Sequence, residues 1–498
     1  MKQNNLWIAA LALGITLSAH GQQSGGGISP TMLQQIKQSY QGTPADKAIR
    51  NAITNNDINK LAVNGESKNN LDTYFSNKVE SKGISNQRSS GRCWLFTGLN
   101  VFRAQAIHKY DMGEFQFSQN YSFFWDQLEK ANLFLQGIID TRLKPMDDKM
   151  VEWLFKNPIG DGGQFTGVSD ILTKYGVVPA EVMVETNSSN STGRMSNLIG
   201  LKLKEYGLQL RDLSTTKGTT VADLEKKKTE MLGTIYRMLV LNLGEPPTKF
   251  TWTRKDAKGN PVETKEYTPQ SFFQEYIGDD LKNNYVMLMN DPSRDYYKLY
   301  EIDYDRHAYD GKNWTYVNLP IEDIKQMAIA SIKDSTMMYF SCDVGKFFDR
   351  DRGILDVNFY DYGSLMGTTF GMDKKQRIQT FASGSSHAMT LMAVDLDANG
   401  KTKKWMICGA ALAGTAVLTA ALWQGLTLRR YALHTDKLSA PVRLLLLTDL
   451  HSTFYGRAQR GLLSAIQAQT PDAVLLAGDM ADDSRGDAGV DALMSALG

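Results

Sequence analysis

The chain has little cysteine. Three stand in 498 residues: Cys93, Cys342 and Cys408. They are too few for a disulfide framework, and their spacing fits no metal-ligand pattern. It also lacks an excess charge of either sign, with 55 Lys and Arg against 54 Asp and Glu. No basic run is long and none is interleaved with aromatics, so nucleic acid is not an expected partner. Apolar residues at 42% and charged residues at 22% exclude a disordered or fibrous chain. The length allows two or more domains, each with a sizeable core.

Long hydrophobic runs are scarce, and each has a reading. Leu6 to Leu17 is too short to span a bilayer; Lys2 precedes it and Ala19-His20-Gly21 fits a small-x-small cleavage site. Residues 1–21 therefore read as a secretory signal peptide. Export to the periplasm or the exterior is expected. A buried first helix is the plainer alternative, but the flexible Gln22-Gln23-Ser24-Gly25 would leave it without a neighbour. The other run, Ile407 to Leu428, is 22 residues without a charge and is followed by Arg429 and Arg430. It is long enough to be a transmembrane helix.

Asparagine is missing after that point. From Ile407 onward there is no Asn, a single Lys (Lys437) and six Arg, whereas Lys and Asn abound before it. Such a shift reads as a junction between two unrelated pieces, one over 22–406 and one beyond.

In the first piece, residues 30–80 read as helical and polar. Leu95, Phe96, Leu99, Phe102 and Ala106 recur at helical spacing from Cys93 to Tyr110. An aromatic helix is predicted from Ser118 to Leu135. A third follows Asp161-Gly162-Gly163 and stops at Gly176. Residues 190–335 read as a helical insertion, with a hairpin at Lys258-Gly259-Asn260 and a helix from Thr268-Pro269. Strands are predicted from Met337 on, including His387 to Val394, and Asn399-Gly400 turns the chain back into Thr402 to Met406.

Cys93 is the cysteine that carries chemistry. It opens a helix, where free backbone N–H groups and the dipole favour thiolate. Ser89-Ser90-Gly91 lets the chain turn sharply into it. Gln87 can set an amide N–H₂ beside the sulfur and, with the Cys93 N–H, hold the oxyanion of a tetrahedral intermediate. An isolated Cys on an apolar helix is more often structural; the Gln-x₅-Cys-Trp arrangement reverses those odds. Cys342 reads as a small core residue and Cys408 as inert.

Gln87 to Trp94, with Tyr121 to Leu135, Asp161-Gly162-Gly163-Gln164, Lys174 to Pro179 and Cys342 to Lys346, resembles the bleomycin hydrolase/aminopeptidase C family of papain-like cysteine peptidases. The resemblance covers residues 30–406. It implies an α+β fold of two lobes, a helical one carrying Cys93 and a β-rich one carrying His387, with a helical insertion. It implies peptide substrates cleaved at the N-terminus, no cofactor, and homohexameric rings. The family order Gln, Cys, His selects His387, which follows Gly384-Ser385-Ser386, over the other five histidines as the base. His387 would hold the Cys93 thiolate as an ion pair. In this family an Asn orients the imidazole, and by the family spacing Gly409 stands in its place. The β-rich lobe therefore reads as truncated, and negligible aminopeptidase turnover is expected.

The tail, 441–498, resembles the start of a calcineurin-like metallophosphoesterase, an α/β fragment behind a membrane span. Asp449 and His451, then Asp479 and Asp482, fall at the ends of two predicted strands, Val442 to Leu447 and Ala473 to Ala477. Carboxylate and imidazole at strand ends suit divalent metal. The later ligands of that family are absent, so Asp449, His451 and Asp479 form an incomplete metal site. Two other readings stay open: a membrane-anchored metallophosphoesterase fragment, and an inactive chimera with no working site.

Overall fold

The computed structural model describes residues 26–66, 73–83, 85–349, 353–408, 440, 442–447, 459–476 and 488–497. In chain order the elements are α1 (Pro30–Ser39), α2 (Pro44–Asn55), α3 (Ile58–Leu61), β1 (Asn77–Lys78), α4 (Cys93–Tyr110), α5 (Gln119–Asp140), α6 (Lys149–Lys156) and α7 (Phe165–Tyr175). The insertion follows with α8 (Asn187–Asn190), α9 (Gly193–Thr215), α10 (Val221–Leu243), β2 (Phe250–Lys255), β3 (Pro261–Tyr267), α11 (Pro269–Tyr276), β4 (Leu288–Met289), β5 (Lys298–Ile302), β6 (Trp314–Asn318) and α12 (Ile321–Lys333). Then come β7 (Met338–Cys342), β8 (Phe348–Asp349), β9 (Ile354–Leu355), α13 (Tyr362–Met366), α14 (Lys374–Gln379), β10 (His387–Leu396) and β11 (Thr402–Cys408).

Local chemistry explains many of the boundaries. Ser118 caps α5 by accepting from the Tyr121 N–H. Thr220 and Asp223 form a capping box on α10, and Thr268 and Ser271 form one on α11 behind Pro269. Gly176 ends α7 at φ +74°, a conformation that a side chain would strain.

The described residues form two compact units. One comprises residues up to 73 with 346–348 and 355–373. Its helices α1, α2 and α3 bury no residue, as their polar composition predicts. Chain ends within it are tied by Asn64 N–H to the Phe359 carbonyl and Asp361 N–H to that of Ala62.

The other unit holds 74–345, 349–354 and 374 onward. Among its described residues it contains three hydrophobic clusters, the smallest formed by Leu462, Ile466 and Leu493 in the tail. One gathers α4, α5, α7, α9, α10 and α11 around residues such as Phe102, Phe124 and Ile171. The second gathers Ile329, Ile332, Met337, Leu391 and Val394 on a four-stranded sheet, in which β10 pairs antiparallel with β1, β7 and β11. Helix α4 feeds both: Leu95, Leu99 and Phe102 face the helical cluster, Val101 and Ala104 the sheet. The two expected cores thus lie within one unit, and the division of the chain falls elsewhere.

Two expectations are corrected here. The insertion is not all helix: β4, β5 and β6 form a small sheet inside it. Strand β11 runs past Met406, pairing Ile407 with Leu391 and Cys408 with Thr390. Those two residues belong to the sheet because their partners on β10 offer backbone hydrogen bonds. A transmembrane helix therefore does not begin at Ile407. The rest of 407–428 lies outside the described residues, as does the signal peptide over 1–21; among the described residues no helix is long and apolar enough to cross a membrane. In the tail, strands Leu444–Leu447 and Ala473–Leu476 pair in parallel, with helix Arg460–Gln467 between them in sequence. Asp449, His451, Asp479 and Asp482 lie outside the described residues.

Candidate active site

The approach to α4 is held tightly. Gln87 Nε2 donates to the Ser90 carbonyl at 2.6 Å, and Ser90 Oγ donates to the Gln87 carbonyl at 2.6 Å. The Gly91 N–H donates to Asp161 Oδ2 at 2.6 Å, and Thr192 Oγ1 donates to the same oxygen. A Cβ on residue 91 would collide with that carboxylate, which is why glycine stands there. Arg92 is wholly buried and pairs with both carboxylate oxygens of Glu185, at 3.1 and 2.8 Å. Its guanidinium also lies over the Phe96 and Phe123 rings. Ser-Ser-Gly is therefore pinned, where the sequence alone reads as flexible.

Cys93 follows, half-buried, its sulfur 4.0 Å from the Gly91 carbonyl. Burial pushes its thiol up. The backbone N–H groups of Ala388, Trp94 and Cys93 pull it down, Asp161 pushes up again, and the net shift is upward. The helix start thus favours thiolate as expected, but burial outweighs it.

His387 opens β10 directly opposite Cys342 on β7. Ala388, the next residue, is the one whose N–H faces the Cys93 sulfur. The first turn of α4 and the first residues of β10 therefore meet, as the family order predicts. Burial lowers the His387 imidazole, and among the described residues its Nε2 is buried without a hydrogen-bond partner. Burial thus works against the charged form of each group.

Gln87 is placed beside the loop that leads to Cys93, but its Nε2 donates to Ser90 and its Oε1 is buried without a partner among the described residues. Cys342 is half-buried, and burial with Asp343 pushes its thiol up to about 11. Among the described residues no group of three or more His, Cys, Asp or Glu could hold a metal ion.

Sequence reasoning missed four residues around this centre. Asp161 braces the loop. Tyr339 on β7 buries a hydroxyl that has no hydrogen-bond partner among the described residues and is pushed up by burial and then by the charge of Cys93. His307 is 3% exposed and packs edge-on against Trp94, with Asp126 on its Nδ1. Of these, only Asp161 had a signal, its place before Gly162-Gly163.

Comparisons with known proteins agree with this geometry. The model of the Peptidase C1-like family matches residues 27–410. Aminopeptidase C of Lactobacillus delbrueckii subsp. lactis is 35% identical over 382 residues, covering 76% of this chain and 84% of its own. Bleomycin hydrolase of Homo sapiens is 34% identical, covering 77% and 86%. The crystal structure of PepW from Lactobacillus rhamnosis superposes with a TM-score of 0.74 at 38% identity, over 78% of this chain and 86% of that one. A pinned cysteine at a helix start, a histidine at the adjoining strand and these relatives lead to one assignment: the chain belongs to the Peptidase C1-like family of cysteine hydrolases.

Proposed function

We propose that the chain is a cysteine aminopeptidase, with Cys93 as nucleophile, His387 as base and Gln87 as oxyanion donor. One observation carries this reading: the N–H next to His387 faces the Cys93 sulfur at the start of α4. His387 takes the Cys93 proton, and the sulfur attacks the peptide carbonyl. The imidazolium then gives that proton to the leaving amine, and water cleaves the thioester. Gln87 serves the oxyanion once substrate draws its amide from the Ser90 carbonyl. Thiol and imidazole suffice, so no cofactor enters.

Turnover is slow in this reading. An imidazole without an orienting partner loses orders of magnitude in rate in the analogous serine triad, and Gly409 has no side chain to supply one. Export through residues 1–21, membrane attachment through the uncharged run after β11, and hexamers stay part of the proposal on sequence and resemblance.

The test is hydrolysis of aminoacyl fluorogenic substrates by the full chain and by a graft in which Val-Glu-Asn-Ser-Trp-Gly and a family C-terminus follow Met406. Weak, Cys93-dependent turnover that the graft raises supports the reading. A folded graft that stays dead overturns it.

A further inference from the structure

Trp94 follows Cys93, and its indole is fixed on every side. Its Nε1 donates to the Asp161 carbonyl at 2.9 Å. The His307 ring stands edge-on to it, with centroids 4.6 Å apart at 75°. The Lys130 ammonium lies over its face, 5.4 Å from the centroid. His307 is held in turn: its Nδ1 lies 2.5 Å from Asp126 Oδ1, and Lys130 Nζ lies 2.9 Å from Asp126 Oδ2. Lys130 also donates to the Gly160 and Gly162 carbonyls, at 3.0 and 2.6 Å. Gly163 and Gly167 leave room for the imidazole; a Cβ on either would run into it.

The charged and titratable groups around His307 are Asp126 and Lys130 on α5 and Asp305 in its own loop. Burial, then the charge of Lys130, holds the imidazole below its ordinary range despite both carboxylates. Burial pushes the Asp126 carboxyl up, but Lys130 and His307 override it, and it stays ionised. The Asp126 carboxylate holds the Nδ1 edge of the imidazole, and the ring remains the surface offered to Trp94.

A buried polar cluster of this kind is often only an anchor for its loop. Here it does more, because the Trp94 backbone N–H is one of three that lower the Cys93 thiol. Fixing the indole fixes that N–H relative to the sulfur. We infer that His307, held by Asp126 and Lys130, is a positioning residue for Cys93 and acts through the ring of Trp94. This rests on the reading of Cys93 as the reactive thiol.

Two variants of the full chain separate ring from hydrogen bond. His307→Phe keeps a ring against Trp94 and loses the donor. His307→Asn keeps a donor for Asp126 and loses the ring. The readout is the rate of Cys93 alkylation by limiting iodoacetamide across pH, with adducts mapped by site and folding checked by near-ultraviolet circular dichroism. The Phe variant should follow the parent profile. The Asn variant should label about tenfold more slowly near neutral pH, with its midpoint moved up by about one unit, because thiolate fraction governs the rate. A folded Asn variant with the parent profile overturns the inference, as does a folded Phe variant as slow as Asn. If the His307 variants do not fold, Lys130→Gln takes their place: it removes the cation from the indole face, slower labelling supports the inference and an unchanged profile overturns it. A parent chain not labelled at Cys93 overturns the inference together with the functional reading beneath it.

Discussion

His387 and Cys342 face each other as Cα partners across β10 and β7. A second thiol thus sits one strand from the candidate base, and only its environment distinguishes it from Cys93. Both thiols are half-buried and held up. Cys93 alone has three backbone N–H groups against its sulfur, while Cys342 has Asp343 pushing the same way as burial. Limiting iodoacetamide near neutral pH should label Cys93 first, and faster as pH rises. Cys342 should follow only as pH approaches about 11. Labelling of Cys342 ahead of Cys93 would remove the case for a prepared thiol.

Asp161 has two effects of opposite sign. Its charge raises the Cys93 thiol, and its oxygen holds Gly91 N–H and Thr192. Asp161→Asn keeps an acceptor and removes the charge. Cys93 should then label severalfold faster at pH 7, while the chain loses about 1–2 kcal/mol of stability from the weakened hydrogen bonds. Slower labelling would show that the brace matters more than the charge.

Gly163 is set against both His307 and Trp94, with no space for a methyl group. Gly163→Ala should destabilise the chain by about 1–3 kcal/mol, the cost of overpacking a filled core. Urea denaturation checks this; an unchanged midpoint would mean that the His307 loop yields freely.

Acid should weaken the fold through its buried histidines. Burial lowers both His387 and His307. Below about pH 6.5 the unfolded chain therefore takes up protons that the folded chain refuses. Stability is whole above that pH and falls as pH drops below it. The urea midpoint should decline from pH 6.5 to 5, and His387→Gln should flatten part of the slope. A midpoint constant over that interval would contradict the neutral state of both rings.

The helices of this chain were legible where caps and apolar spacing agree. Cys93 to Tyr110 is the helix predicted, and Thr268-Pro269 starts α11 as read. The pairing of Cys93 with the start of β10 was legible only through the order of motifs, since residues 294 apart in sequence carry no local signal of contact. His307 was hidden for the same reason. Its neighbours Asp303, Asp305 and Arg306 read as a solvated stretch, and its partner Asp126 lies on a helix far upstream. The insertion's sheet escaped because β4 is only two residues long and β5 is short and mostly exposed, without clean alternation. The end of β11 was misread because Ile407-Cys408 continues an apolar run whose membrane length outweighed a strand's.

Helix α4 is a party wall between two hydrophobic clusters. Neither cluster can melt while the other stands, because each would strip half of the same helix to water. The helical and sheet cores must therefore unfold as one cooperative event. Amide exchange along residues 95 to 106 should report the full unfolding free energy, where a nucleophile on a loop would exchange by local opening. The candidate nucleophile stands at the end of this doubly anchored helix, so a substrate must conform to it.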